Sequence, residues 1–261
     1  EADDDAFSFI FDVNSQGLDH LFVSDGLLNV AEFDILHVNN DFPRDDGGNQ
    51  FTETLVASDH EPLVAKLTLE EDSMDSTFKL QLLHLADQEA GIPALDDAPR
   101  ASAVINALKD DFENTLLLSS GDAIIPGLFF SASEEAYGGA GRADILIQNE
   151  LGVQAIALGN HEFDLGTGLV RDLGAGGVDN PETPDIDESF VGAAFPYLSS
   201  NLDFSTSADL ADLVVPDDQA PLPNSIAATT VIDVNGEQVG VVGATTPTLP
   251  TISSPGDVTV L

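Results

Sequence analysis

After residue 77 the chain alternates short apolar runs with amphipathic stretches, and each apolar run stops abruptly at polar residues. Lys79 to Leu85, Thr115 to Ser119 and Gln154 to Leu158 read as strands, while Ala101 to Lys109 and Arg142 to Leu151 carry apolar residues at helical spacing. Strand, helix, strand in succession is the pattern of an α/β layered domain, because parallel neighbours need a crossover that a helix supplies. In that architecture ligands gather beyond the ends of strands. Further on, Ala227 to Asp233 and Gln238 to Ala244 flank Asn235-Gly236, a two-residue hairpin signal. Asp179 to Glu188 and Ser205 to Asn224 are acidic or proline-rich and read as excursions from the layered core.

The first seventy residues are patterned differently. Phe7 to Phe11, His20 to Ser24 and Glu61 to Leu69 read as strands, with Asp41 to Asn49 a turn-rich loop between them. These elements are too few to close a domain of their own. Glu70 to Thr77 is polar and without periodicity, which predicts an exposed linker between two bodies. The chain therefore divides into 1–69, a linker at 70–77, and 78–261.

Charge narrows the partners. Forty-seven acidic residues stand against 7 basic ones, a formal charge of −40. Too few cations remain to neutralise a nucleic-acid backbone tightly, so a phosphate-bearing ligand has to be met by bound divalent ions. An acid excess of this size suits a salty or calcium-rich exterior, where screening weakens self-repulsion. Disorder is excluded because 43% of residues are hydrophobic. Cysteine is absent, which removes disulfides and thiolate metal sites. No apolar run approaches the roughly 20 residues of a membrane span. The opening Glu1-Ala2-Asp3-Asp4-Asp5 has no signal-peptide pattern and reads as an internal cut.

Three strand ends carry the chemistry: Leu83-His84-Leu85-Ala86-Asp87-Gln88-Glu89, Leu118-Ser119-Ser120-Gly121-Asp122, and Gly159-Asn160-His161-Glu162-Phe163-Asp164. Each sets oxygen or imidazole donors just past an apolar strand. Hard divalent cations take such oxygen-rich sites, and imidazole suits zinc, iron or manganese. Singly, Gly121-Asp122 is an ordinary turn and Asp87 an ordinary strand-end or capping acid. Gly-Asn-His-Glu after a strand is far more specific, and all three in this order more so again.

With these motifs, 78–261 resembles the 5′-nucleotidase branch of the calcineurin-like metallophosphatases. Gly240 to Pro247 adds a further likeness to a late strand and turn of that catalytic domain. The resemblance implies the first part of a four-layer α/β/β/α domain and a centre of two divalent ions, Mn, Mg, Ca or Zn. It implies Asp87 as a ligand of the first ion, Asp122 as the bridging carboxylate and Asn160 as a ligand of the second. His161 would stabilise the transition state or protonate the leaving group, oriented by Asp164. Two departures stand out. Glu89 occupies the place of the family's usual histidine in Asp-x-His, a variant shared by a subgroup of large secreted bacterial metallophosphatases, and it makes the site harder. The family's downstream histidines have no counterpart before Leu261, so the two-metal centre is incomplete in this sequence.

Residues 7–69 resemble something else: the C-terminal end of an endonuclease/exonuclease/phosphatase domain, an α/β sandwich. The matching residues are Leu18 to Ser24, His37 to Asp41, and Ser58-Asp59-His60-Glu61-Pro62-Leu63. That likeness implies His60 as general base or phosphate ligand, Asp59 orienting it or holding a cation, and Asp19 contacting the metal or the attacking water.

The combined expectation is an extracellular or cell-surface hydrolase that acts on nucleotides or other small phosphate esters. Extracellular nucleic acid would be a partner of the upstream module. The alternative class is a non-catalytic surface or filament protein built from hydrolase-derived folds.

Overall fold

The structure, a computed structural model, describes residues 9–11, 14–16, 31–35, 63–70, 77–88, 94–176 and 190–261. Asp19, Asp59, His60 and Glu89 lie outside them, as do the predicted strand at 20–24 and the excursion at 179–188. The chain forms two compact units, Glu1–Ala86 with Pro93–Leu118, and Asp87–Ile92 with Ser119–Leu261.

In the first unit β1 (Phe9–Phe11) pairs antiparallel with β2 (Asn14–Gln16). Strands β3 (Ala31–Ile35), β4 (Leu63–Glu70) and β5 (Thr77–Leu85) lie antiparallel with β4 in the middle. Helix α1 (Ala94–Asp111) then leads to β6 (Thr115–Ser119), the neighbour of β5. One polar residue on the apolar β5 fixes this junction. Gln81 is 8% exposed; its backbone N–H donates to Asn114 O at 2.8 Å, and its side-chain amide donates to Leu108 O and Thr115 Oγ1, each at 3.0 Å. Helix α1 begins well before the predicted Ala101 and runs through Pro99. A proline fixes φ at a helical value and forfeits one N–H donor, a loss that a long helix absorbs near its start.

Residues 71–76 of the expected linker lie outside the described residues. Strands β4 and β5 pair in register from Leu63 opposite His84 to Glu70 opposite Thr77, so both ends of 70–77 are strand residues. The two alternating apolar runs are complementary hairpin arms.

The second unit opens with α2 (Leu128–Tyr137), α3 (Arg142–Leu151), β7 (Ala155–Ala157) and α4 (Thr167–Ala175). It continues through β8 (Tyr197–Leu198), β9 (Leu202–Asp203), β10 (Ile226–Ala227), β11 (Thr229–Val234) and β12 (Glu237–Val242). The last elements are α5 (Leu249–Ile252) and β13 (Thr259–Val260). Strand β8 runs parallel to both β7 and β10. Val153, Ala155, Ile156 and Leu158 are all buried, the near-continuous apolar run expected of a parallel strand covered on both faces. Phe195 meets the ring of Tyr197 edge-on at 5.6 Å in the same core.

The hairpin is found as β11–β12, antiparallel, with Asn235 at φ 52° and Gly236 at φ 98°. Positive φ at both turn positions is what a tight two-residue connection needs. Strands β9 and β13 form another antiparallel pair. The acidic stretch 205–224 is fastened to α4 rather than loose: Thr167 Oγ1 donates to Asp209 Oδ2 at 2.6 Å, and Arg171 donates to Asp209 O and to both oxygens of Asp212. Its acids read as solvent-seeking in sequence because their partner lies far away in the chain. The architecture is a mixed α/β fold with a parallel sheet, forming part of a domain. Among the described residues no helix is long and apolar enough to cross a membrane.

Candidate active site

The three strand-end motifs leave β5, β6 and β7, and their loops all fall in the second unit. Asp87, two residues past β5, adopts φ 47°, and Asp122, three residues past β6, adopts φ 50°. Non-glycine residues in the left-handed region store strain, which persists where the surroundings hold it. Here the backbone holds it: Asp87 N–H donates to Gly121 O at 3.2 Å, joining the first loop to the second.

The second loop joins the third more closely. Gly121, at φ 95°, lies so near β7 that a Cβ would collide with the carbonyl oxygen of Ala157 and the nitrogen of Gly159. A Cβ on Gly159 would in turn strike the Asp122 carboxylate. That carboxylate accepts the His161 N–H through Oδ1 at 2.7 Å. His161 Nδ1 pairs with Asp164 Oδ2 at 2.6 Å, and Ser253 Oγ donates to Asp164 Oδ1 at 3.0 Å. The Ser254 N–H also donates to Phe163 O at 3.2 Å, so the end of α5 is docked onto this loop.

Sequence reasoning gave no role to Glu162, and the structure shows a central one. It is 3% exposed, and its Oε2 accepts the N–H groups of Asp122 at 3.0 Å and Gly159 at 2.7 Å while Oε1 accepts that of Ala123 at 2.9 Å. One carboxylate thus ties the second loop to the third. Burial, and after it the charge of Asp122, pushes Glu162 up to about 7 against the pull of the three N–H donors. An acid inside Gly-Asn-His-Glu with no Lys or Arg beside it was the available signal. Ser253 carried none, being 89 residues from its partner. Behind these loops, Thr245 Oγ1 donates to Leu158 O at 2.8 Å and lies 2.8 Å from Ser199 Oγ, while Asn201 holds both the N–H and the carbonyl of Thr245 at 2.8 Å.

Burial, the largest influence, raises Asp122 above the usual carboxylate range; the His161 N–H and charge oppose this, Asp164 adds to it, and the Asn160 N–H opposes it. No Lys or Arg is among the groups acting on it. A half-buried carboxylate without a cationic side chain fits a bound cation, as do the oxygen donors of Asp87 and Asn160. Gln88 adds a buried amide oxygen that has no hydrogen-bond partner. In donor chemistry these residues fit hard divalent ions. Among the described residues no group of three or more His, Asp or Glu side chains is close enough to hold one by itself. Asp87, Asp122, Asn160, His161 and Asp164 are therefore on loops that the structure joins. Glu89, Asp19, Asp59 and His60 lie outside the described residues.

No family model matches the chain. Individual relatives do. The trifunctional nucleotide phosphoesterase protein YfkN of Bacillus subtilis is 32% identical over 204 residues, covering 74% of this chain and 13% of that protein. The 5′-nucleotidase of Diplobatis ommata is 32% identical over 192 residues, covering 69% of this chain and 28% of that enzyme. Among solved structures, the 5′-nucleotidase precursor of Thermus thermophilus superposes with a TM-score of 0.50 at 27% identity, covering 70% of this chain and 32% of that one. The chain thus spans less than a third of the length of these relatives, all of them phosphoesterases or nucleotidases by name. Over roughly 70% of its length it is homologous to the 5′-nucleotidase and calcineurin-like phosphoesterase family.

Proposed function

We propose that this chain carries the front part of the catalytic domain of a metal-dependent phosphoester hydrolase acting on nucleotides or similar small phosphate esters. The observation that carries the reading is the union of Asp122 with the His161 loop, where Asp122 Oδ1 takes the His161 N–H and His161 Nδ1 meets Asp164. Homology to nucleotidases across the same loops supports it.

Asp87, Asp122 and Asn160 would hold the divalent ions, with Glu89 as a further carboxylate. When bound, the ions would supply charge neutralisation and Lewis acidity at phosphorus. Asp164 fixes the imidazole through Nδ1, so Nε2 is the nitrogen that would meet the substrate. As an oxygen of water adds to phosphorus and the bond to the leaving oxygen breaks, His161 in its imidazolium form would give the leaving oxygen its proton from Nε2. Ser253 steadies Asp164, and Glu162 keeps the two loops at their spacing.

The finer reading places the protein outside the cell, supported by the −40 charge. It treats 1–69 as the end of a nuclease-like module bearing Asp19, Asp59 and His60, supported by sequence motif alone. The test is phosphate release from AMP by the full-length protein with and without divalent ions. Asp122→Ala should abolish it, and undiminished turnover in that variant would move the chemistry elsewhere.

A further inference from the structure

Away from the strand-end loops, helix α3 carries two polar side chains that the proposed function does not use. Asp144 is 1% exposed and Gln148 2% exposed. Both carboxylate oxygens of Asp144 and the amide oxygen of Gln148 are buried without a hydrogen-bond partner. Positions i and i+4 lie on one face of a helix with Cβ atoms about 5–6 Å apart, within reach of a carboxyl and an amide. Three acceptor oxygens on one helix face are thus buried without a hydrogen-bond partner, and leaving them so is costly. One proton resolves it.

We infer that Asp144 is held as the neutral acid, donating its Oδ–H to Gln148 Oε1, and that this buried pair is a pH-sensitive lock on the second unit. The surroundings agree. Arg142, on the same helix, is committed to Asp172 of α4 at 2.7 and 3.0 Å and to Tyr137 O. On the packed helix α2, Glu134 and Glu135 are exposed, and Ser133 gives its proton to Phe130 O while accepting the Ala143 N–H. Glu150 at the far end of α3 is exposed, and Asn149 holds Gly192 O and the Ala194 N–H. Burial pushes Asp144 up to about 7, opposed only by its own backbone N–H, with no charged side chain acting on it.

The direction of the effect follows from linkage. The folded-state value lies above the unfolded 3.8, so the unfolded chain releases its proton first as pH rises. The contribution to stability is complete below about pH 4, is lost as pH climbs through about 7, and is flat above that. Between pH 6 and 8 the folding equilibrium constant should fall by roughly tenfold through Asp144, a drop of about 3–5 °C in melting temperature for a unit of this size.

The experiment compares thermal unfolding from pH 5 to 9 for the wild type, Asp144→Asn and Gln148→Leu, alongside a ¹³C titration of the Asp144 side-chain carboxyl in the folded wild type. The carboxyl should titrate near 7. Asp144→Asn should flatten the melting profile by that roughly tenfold component, and Gln148→Leu should cost more at pH 6 than at pH 8.5. A carboxyl that titrates near 4, or an Asp144→Asn profile parallel to the wild type, would overturn the inference. So would saturable stabilisation by Na⁺ or Ca²⁺ that disappears in Asp144→Asn, because the three oxygens would then belong to a cation.

Discussion

Asp122 Oδ1 accepts the backbone N–H of His161 at 2.7 Å across 39 positions of sequence, so a single carboxylate oxygen joins the loop that follows β6 to the loop that follows β7. A residue proposed to hold a cation and a residue proposed to protonate a leaving group are thereby kept at a fixed spacing. Everything expected of the site depends on that spacing.

Glu162 maintains it by accepting three backbone N–H groups inside the core. In Glu162→Gln one oxygen becomes an NH₂ group facing a donor, and at least one buried N–H loses its acceptor. Urea unfolding should show a loss of about 2–4 kcal/mol, the range for a charged hydrogen bond plus an unsatisfied buried donor. A loss under about 0.5 kcal/mol would mean that the loops hold their spacing without it.

Gly121→Ala tests the same junction by sterics. The position has φ 95°, and a Cβ meets backbone on β7 and its following loop, which cannot rotate away. Destabilisation of at least about 3 kcal/mol is expected, near the upper end for single substitutions. A melting temperature equal to the wild type would show that the loops are further apart.

Asp164→Asn removes the carboxylate that fixes the imidazole, and Ser253→Ala removes only a support of that carboxylate. In the full-length protein the first should lower kcat by about 10²-fold and His161→Ala by about 10²–10⁴-fold, with metal affinity little changed. Ser253→Ala should fall between Asp164→Asn and the wild type. Single-turnover rates together with metal titrations separate these effects, and weakened metal binding in His161→Ala would make it a ligand instead.

Metal preference tests the proposed role of Glu89. Removing divalent ions with a chelator should stop phosphate release, and Mn²⁺, Mg²⁺ or Ca²⁺ should restore it better than Zn²⁺, since a carboxylate in place of imidazole makes the site harder. Glu89→His should shift the preference toward Zn²⁺. An unchanged order of metals in that variant would detach Glu89 from the centre.

Much of this was legible in the sequence where interactions are local. Thr115–Ser119 and Arg142–Leu151 match their predicted bounds because apolar periodicity and the glycines at 141 and 152 mark them without tertiary help. Asn235-Gly236 predicted its hairpin for the same reason. The pairing of β4 with β5 was not readable, because register depends on which strand the fold sets beside which. That Asp122 and the Gly-Asn-His-Glu loop each follow a strand was readable, since the apolar runs stop at polar residues there. Glu162 as a clamp and Ser253 as a support were not readable. Their contacts depend on which N–H groups and which carboxylate oxygen the fold delivers from distant positions.

The most direct measurement is anomalous diffraction from crystals of the full-length protein grown with Mn²⁺. The account predicts peaks within coordinating distance, about 2.0–2.6 Å, of oxygens from Asp87 and Asp122, with Asn160 on the second ion and both peaks gone in Asp122→Ala. Peaks absent from these loops in a protein that still hydrolyses AMP, or bound elsewhere and indifferent to Asp122→Ala, would contradict it.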